Sequence, residues 1–535
     1  MSEIMTETPE IGTEIPKKAD PYFGGFILET LTIGMYGDSK SAIREYLQNS
    51  FDSLLLAIEK KITQVSEARI DITMSDSMLV IRDNGMGIGS ARAVSVLTSV
   101  GASLKDFRSQ AGFRGIGRLA GIVFCTNLKF VTKAQGETVQ TTVTFNAKQL
   151  RQQMSPSHGA KYTLTELLEK NITASQSDGH KPDEHYFEVR LEGLVNPPKE
   201  CLDSSLMSDF VGQVAPVGYR DDFSFAAQIL KAGEERRFPS ASQKDATKKS
   251  LLDQVRVLIK RGDEETDVRK PYRNQAAVGK DDVPIYDIKI FDPPSRRWWA
   301  WIALKKEPGV YKDDRVRAMR VRMRNIQIDG TELMGKQFSS VEGAASFGRF
   351  NDWYAGEIFV DPTFVIPNAR RDGFEEDDNW IKMQGELADL CADLGRQAYD
   401  ISRRAQLSIR TLARNTKEIE EKGKSIAAAG TDTDKVIELS NAVNKLQRKV
   451  GRALRHADLE TSSQLRSLEN KLLDVKTRAV RNLGVSQQVD LSEVREQAQL
   501  DIISELMAAF REKLDPPTYS MVAKIASELL GSDDF

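Results

Sequence analysis

Apolar residues recur every three or four positions between residues 39 and 60, where Ile43, Leu47, Leu54, Leu55 and Ile58 share one side and Asp38 or Ser39 can cap the start. This predicts a helix with polar residues embedded among its core positions. The period then drops to two: in 68–82, Ile70, Ile72, Met74, Leu79 and Ile81 fall on a common face, predicting a strand pair that runs into Asp83-Asn84-Gly85. A glycine-rich stretch at 101–121 leads to further β character at 128–132 and 138–145, so the first unit reads as mixed α/β. Polar stretches at 171–185 and 232–250 read as surface insertions or linkers, and a helix and turn at 210–225 end this unit. A second α/β unit follows over about 250–380, with strand patterns at 255–259, 285–291, 298–304, 317–328 and 357–360.

After Trp380 glycine and proline thin out, and Met383, Leu387, Leu390, Leu394, Ile401, Ala405, Ile409 and Leu412 step by three, four or seven, the mark of a long amphipathic helix. A heptad-like run through Leu439, Val443, Leu446, Val450, Ala453 and Ala457 resumes at Leu465, Leu468, Leu472, Val475 and Ala479, with a slip between that is either a stutter or a break. Gly430 and Thr431 separate this run from the helix before it, which predicts an antiparallel hairpin of helices, and a last helix is expected over 494–514, before Pro516-Pro517. The expected organisation is α+β in four parts: a flexible arm at 1–20, an α/β domain at 21–225, a second α/β domain at 226–380 and an all-α domain with coiled-coil character at 381–535.

Composition narrows the class without choosing within it. A chain of 535 residues with 75 Lys+Arg against 78 Asp+Glu, a net charge of -3, is not basic as a whole, so any nucleic-acid surface must be local. Cys125, Cys201 and Cys391 are far apart with no CxxC pair, which argues against a disulfide framework or a zinc site and for a reducing compartment. With no run approaching the roughly 18 apolar residues of a membrane span, and an acidic, polar start where a signal peptide would be basic then apolar, a cytoplasmic protein is expected.

Three clusters within the first 120 residues carry the candidate chemistry. Glu45, Asn49 and Asp52 are spaced four and three apart and share a helix face with apolar neighbours, so each must be satisfied or functional; an exposed polar ridge is the alternative. Asp83-Asn84-Gly85-Met86-Gly87 sets a carboxylate at a strand end before two glycines that let backbone approach a flat ligand, and an ionised Asp can accept from an exocyclic amino group; an ordinary turn is the alternative. Gly112, Gly115 and Gly117 precede a helix whose NH groups could cradle phosphates, yet the stretch lacks GK[ST] and follows rather than precedes the acidic residue, so it is neither a Walker loop nor a Rossmann fingerprint.

In this order the clusters resemble the GHKL ATPase superfamily, which holds gyrase-type topoisomerases, the ninety-kilodalton heat-shock chaperones, histidine kinases and MutL-type mismatch-repair proteins: REYLQNSFDS resembles its first motif, IRDNGMGI its second and AGFRGIGRLAG its third. The resemblance implies a Bergerat-type α/β sandwich that binds ATP with Mg²⁺, with Glu45 as the general base, Asn49 as the Mg²⁺ ligand beside Asp52, Asp83 on the adenine amino group, Gly85 and Gly87 lining the base, Gly112, Gly115 and Gly117 on the phosphates, and Ser103 and Lys105 in a mobile lid. Within the superfamily, YAGEIFVDPTFVIPNARRDGFEE resembles the heat-shock chaperones' middle domain, which implies a transducer-like domain whose Asn368 and Arg371 reach across to ATP. For Arg370-Arg371, a solvated turn paired with Asp372 and Glu375 is the alternative. His158-Gly159-Ala160 departs from the chaperones' Gly-Thr, and the helical region after Trp380 matches no chaperone dimerisation domain.

The implied function is an ATPase acting as a conformational clamp on a protein client, with the helical tail making a homodimer. The alternatives are an ATP-gated nucleic-acid clamp of MORC or MutL type, in bacterial defence or DNA processing, and a nucleotide-sensing scaffold with little turnover. A signalling kinase is disfavoured, because His456 follows the ATP domain where a phospho-acceptor should precede it. Alternating Arg320, Arg322 and Arg324 read as the solvated face of a half-buried sheet, with a nucleic-acid surface as the rival. Arg448, Lys449, Arg452 and Arg455 form a second basic group, whose default reading is the outside of a coiled coil, and Trp298, Trp299 and Trp301 read as core.

Overall fold

Successive side chains of a strand point to opposite faces, and the 68–82 alternation is spent on burying one of them: Ile70, Ile72, Met74, Leu79 and Ile81 all lie in a single core beneath a long sheet. The computed structural model describes residues 24–34, 40–101, 115, 117–155, 162–236, 255–278, 281–328, 330–341, 345–406, 408–429, 433–454, 459–482, 507, 510, 519 and 522. The chain divides into two units, Met1–Ser402 and Arg403–Phe535, each described by itself.

The first sheet of the larger unit contains β1 (Arg69–Met74), β2 (Met78–Asp83), β3 (Cys125–Lys133), β4 (Gln140–Asn146), β5 (Ile172–Ser177), β6 (Tyr186–Leu194), β7 (Arg256–Arg261) and β8 (Glu264–Asp267), in the order β5-β4-β3-β6-β2-β1-β7-β8. Every neighbouring pair is antiparallel except β1 and β7, which run parallel with Ile70 beside Val257 and Ile72 beside Ile259. The helix Lys40–Glu59 contributes Ile43, Leu47, Phe51 and Leu54 to the same core as these strands.

Two expectations change here. Residues 255–268 belong to this first sheet, past the boundary expected at 225, because a parallel partner is chosen by packing and not by local pattern: Val255, Val257, Ile259 and Val268 all join the first core. The polar stretch 171–185, read as an insertion or linker, begins with β5, an edge strand exposed from Thr173 to Ser177, where polar side chains suit a face that meets water.

The second sheet of this unit contains β11 (Asp287–Phe291), β12 (Trp298–Leu304), β13 (Ala318–Met323), β14 (Ile326–Ile328) and β15 (Ala355–Val360), preceded by the hairpin of β9 (Gln275–Val278) and β10 (Asp281–Pro284). Its order is β11-β12-β15-β13-β14, with β15 central, antiparallel to β12 and parallel to β13. The strand expected over 317–328 is a hairpin whose two turn residues, Arg324 and Asn325, sit at φ 52 and 61, the left-handed region that tight two-residue turns require. One face of the sheet carries Trp298, Ile302, Met319 and Val321; the other carries Trp299, Trp301 and Phe359 against Tyr219, Phe223 and Tyr272, so the tryptophans are core as expected. The helix Asp378–Gln406, assigned from sequence to the all-α domain, packs Trp380, Met383, Leu387, Leu390, Leu394 and Ala398 into the first of these cores and belongs mostly to the larger unit.

The alternating arginines are the largest correction. Arg320 and Arg322 are 3% and 0% exposed, so β13 offers neither a solvated face nor a nucleic-acid surface at these positions. Period two specifies that they share a face and leaves open which face is buried. Arg322 Nε bonds Glu357 of β15, its Nη2 donates to Gln213 O at 2.6 Å, and its Nη1 donates to Asn325 O at 2.9 Å. Lys270 Nζ donates to both Glu357 oxygens at 2.9 Å and to Asn325 Oδ1 at 2.9 Å, while Tyr219 OH and Trp301 Nε1 also donate to Glu357. Burial by itself would raise the Glu357 pKa, but Arg322 and Lys270 outweigh it and hold the carboxyl down at about 2.

The smaller unit has helices Ile409–Ala429, Thr433–Leu454 and Leu459–Asn482, each packed against both others. Leu412, Ile419, Leu439, Val443, Leu446, Val450, Leu465, Leu468 and Leu472 make its core, so the expected hairpin is a three-helix bundle among the described residues. Of the helix expected over 494–514, only Met507 and Phe510 are among the described residues, and both are helical. The α+β class holds. No helix among the described residues is long and apolar enough to cross a membrane.

Replacing Glu357 by Gln leaves Lys270 and Arg322 enclosed without their counter-charge, and a loss of about 3–5 kcal/mol is expected, read from the denaturant midpoint. Because the folded Glu357 pKa lies below its ordinary value of 4.5, the stability it contributes is present above pH 4.5. It is lost as pH falls from there through about 2, so an acid titration of unfolding should show wild type losing in that window stability that the Gln variant never had.

Candidate functional site

The helix Lys40–Glu59 is enclosed on more than its core side: Glu45, Gln48 and Asp52 are all buried, and Asn49 is half-buried. Tyr46 anchors it to the short helix Gly117–Val123, accepting from Gly121 N at 2.8 Å and donating to Arg118 O at 3.1 Å. Gly117 is where the two elements nearly touch, since a Cβ there would stand 2.1 Å from Glu45 Oε2. That contact is a reason for this glycine which the sequence motif did not reveal. Gly115 has φ +74, the left-handed region. Gly112, Ser103, Lys105 and residues 158–160 lie outside the described residues.

Asp83 ends β2 and is 1% exposed, with one carboxylate oxygen accepting from Gly85 N at 2.9 Å. The loop after it is braced from several sides. Ser53, on the helix, accepts from Met86 N at 3.0 Å, and a Cβ on Gly85 would stand 2.2 Å from its Oγ. Asn84 turns away from the site, bridging Arg69 N at 2.9 Å and Glu67 O at 2.8 Å. Ile88 N donates to Thr132 Oγ1 at 2.7 Å, and His185 Nδ1 lies 2.7 Å from Gly85 O. Gly87 has φ +59 and a Cβ there would be 2.0 Å from Lys133 O, so the close approach expected of this glycine is to β3. Ser53, Thr132 and His185 were not singled out from sequence: Ser53 ends the REYLQNSFDS stretch without an implied role, Thr132 and His185 belong to no motif, and only the pairing of β3 with β6 and the packing of the helix bring them here.

The second candidate group arrives from β15. Past Val360 the chain forms a bend closed by the bridge Pro367↔Phe374 and by Asn368 N donating to Gly373 O at 3.1 Å. Asn368 is engaged inside this bend, its Nδ2 donating to Asp372 Oδ1 at 2.7 Å and its carbonyl accepting from Arg371 N at 3.2 Å. Arg371, at φ 57, leaves the bend and pairs with Glu45: Nε to Oε1 is 2.9 Å, with both side chains under a tenth exposed. Arg44 secures the approach by donating to Arg370 O at 3.0 Å, a contact between residues 326 apart in the chain. Arg371 is thus not the solvated turn residue that charge pairing with Asp372 and Glu375 would make it.

The structure therefore gathers Glu45, Asn49 and Asp52 on one helix face, sets Gly117 against Glu45 and delivers Arg371 to the same carboxylate; the Asp83 loop meets this helix one turn past Asn49, at Ser53. Chemically this is a set of acidic and amide acceptors, glycine backbone with little bulk and the enclosed guanidinium of Arg371. No group of three or more His, Cys, Asp or Glu that could hold a metal by itself occurs among the described residues.

Residues 37–177 match the family model described as histidine kinase-, DNA gyrase B-, and HSP90-like ATPase. The match begins just before the helix Lys40–Glu59 and ends with β5, so it contains every candidate except Asn368 and Arg371. It supports placing this segment in the GHKL ATPase superfamily and supports ATP binding and hydrolysis in general. No curated protein matches the chain.

Gly87→Ala should strain both the backbone and its contact with β3, lowering thermal stability by about 1–3 kcal/mol and weakening ATP binding, as calorimetry of unfolding and nucleotide titration would read. Unchanged values for both would show that the loop has another way to settle.

Proposed function

We propose that this chain binds ATP with Mg²⁺ and hydrolyses it to ADP and phosphate, using a catalytic pair assembled from the helix Lys40–Glu59 and the bend after β15. The observation that carries this reading is the buried Arg371–Glu45 ion pair at 2.9 Å. A solvated arginine would contribute little here; an enclosed one beside the carboxylate of a GHKL-like helix is placed for work on a phosphate. Glu45 takes the proton of the attacking water. Arg371, paired with Glu45 before ATP is present, turns to the charge that develops on the γ-phosphate, as arginines supplied from outside the nucleotide fold do in phosphoryl transfer. Asp83 accepts from the adenine amino group and Gly85 and Gly87 line the base. Asn49 fits a magnesium site completed by phosphate oxygens, since Mg²⁺ needs only one or two protein ligands when a nucleotide supplies the rest; the ion would neutralise phosphate charge.

Moving Arg371 from Glu45 to phosphate shifts the 367–374 bend and so couples nucleotide state to β15 and the second sheet. That coupling supports an ATP-driven conformational clamp acting on a protein client, in the manner of the ninety-kilodalton chaperones. Exposed Ile437 and Leu473 on the three-helix bundle are consistent with a homodimer. A nucleic-acid clamp of MORC or MutL type loses the support of β13 and retains exposed Arg448 and Arg452.

Steady-state turnover and nucleotide binding, each with and without DNA, test these roles. Glu45→Ala should still bind ATP while turnover falls about 100-fold or more. Arg371→Ala should lower turnover by about 1000-fold. Asp83→Asn should lose binding. Wild-type turnover in Glu45→Ala would overturn the mechanism, and DNA stimulation that falls steeply with salt would favour the nucleic-acid clamp.

A further inference from the structure

Gln48 lies inside the REYLQNSFDS stretch, but the resemblance gave it no role. It is three positions after Glu45, one before Asn49 and four before Asp52, which places it about 60° around the helix from Glu45 and on the same side. It is 1% exposed, and neither its Oε1 nor its Nε2 has a hydrogen-bond partner among the described residues. Apolar side chains fill the core side of this helix at Ile43, Leu47, Phe51 and Leu54. An enclosed amide with both ends unpaired is costly, and a leucine would serve better if packing were all that was required.

The chemistry of the unpaired groups limits what they can be for. A phosphate oxygen would satisfy the NH₂ and leave Oε1 unpaired; a cation would satisfy Oε1 and leave the NH₂. A water beside a phosphate satisfies both. We propose that Gln48 orients the water that attacks the γ-phosphate, an inference that rests on the ATP-hydrolase reading above. The water donates one hydrogen to Glu45 and the other to Gln48 Oε1, which leaves an oxygen lone pair for phosphorus, while Gln48 Nε2 donates to a γ-phosphate oxygen. As the new P–O bond forms, the bond from phosphorus to the β,γ-bridging oxygen breaks, its electrons stay with ADP, and the water proton passes to Glu45. A glutamine can serve phosphoryl transfer in this way because orienting the nucleophile needs no proton transfer of its own.

Gln48→Met keeps the length of the side chain and removes both polar ends. The expected result is a thermal midpoint equal to or above wild type, ATP affinity within about threefold, and turnover at saturating ATP reduced about 10-fold or more. Gln48→Glu, nearly the same shape but without the NH₂ donor, should also fall in turnover with binding retained, and carries the comparison if the Met variant does not fold. Turnover within about twofold of wild type in these variants, alongside an inactive Glu45→Ala, overturns the water-orienting role. So does a loss of ATP binding in place of turnover, or a drop in thermal midpoint that parallels the loss of activity. Full turnover in Glu45→Ala itself would overturn the hydrolase reading instead, which keeps the two failures apart.

Discussion

A carboxylate sealed inside a protein stays ionised only if cations are sealed in with it, and Glu357 has two, Lys270 and Arg322, both fully enclosed. Much of the larger unit depends on this arrangement. Glu357 lies on β15, the central strand of the second sheet, and Arg322 lies on β13 beside it. Lys270 stands on the chain just after it leaves β8 of the first sheet, and Arg322 also grips Gln213 O in the helix Ser204–Val214. One buried charge cluster thus holds the exit of the first sheet to the middle of the second. The electrostatic gain has to exceed the desolvation of three ions, which is why Tyr219 and Trp301 also donate to Glu357 and Asn325 accepts from Lys270.

What that anchoring delivers is Arg371. The strand that carries Glu357 continues into the 367–374 bend, and a left-handed residue at its tip presents the guanidinium to Glu45. An ion pair between a helix packed on the first sheet and a bend leaving the second is sensitive to how the two sheets are held, so a firmly anchored β15 matters to it. The braced Asp83 loop is the contrasting case, because Ser53, Thr132, His185 and Asn84 leave it little freedom. A site with one fixed wall and one arriving arm can register whether a ligand is present.

The sequence pattern was a good guide wherever a single element settles the matter. The period of 3.6 at 39–60 and of two at 68–82 correspond to the helix Lys40–Glu59 and to β1 and β2, and Glu45, Asn49 and Asp52 share a helix face as their spacing requires. It was a poor guide to partners. Period two put Arg320 and Arg322 on one side of a strand without saying that the side faces a buried glutamate. Asn368 carries the chemistry expected of a ligand contact but is taken up by Asp372 in its own turn. Gln48 gave no signal because a polar residue on a polar-looking helix face is unremarkable until that face is found to be covered.

The sequence by itself determined the strongly periodic elements, the order of the three glycine- and carboxylate-bearing clusters and, through them, the kind of ligand to look for. All of these depend on residues within a few positions of one another. Tertiary structure alone decided that β7 completes the first sheet, that Asp378–Gln406 packs on the second, that the β13 arginines turn inward, and that Arg371 meets Glu45. The physical reason is common to these outcomes. Burial and ion pairing are set by atoms distant in the chain, and whether a charge lies in water or against its counter-ion is a property of the packed whole.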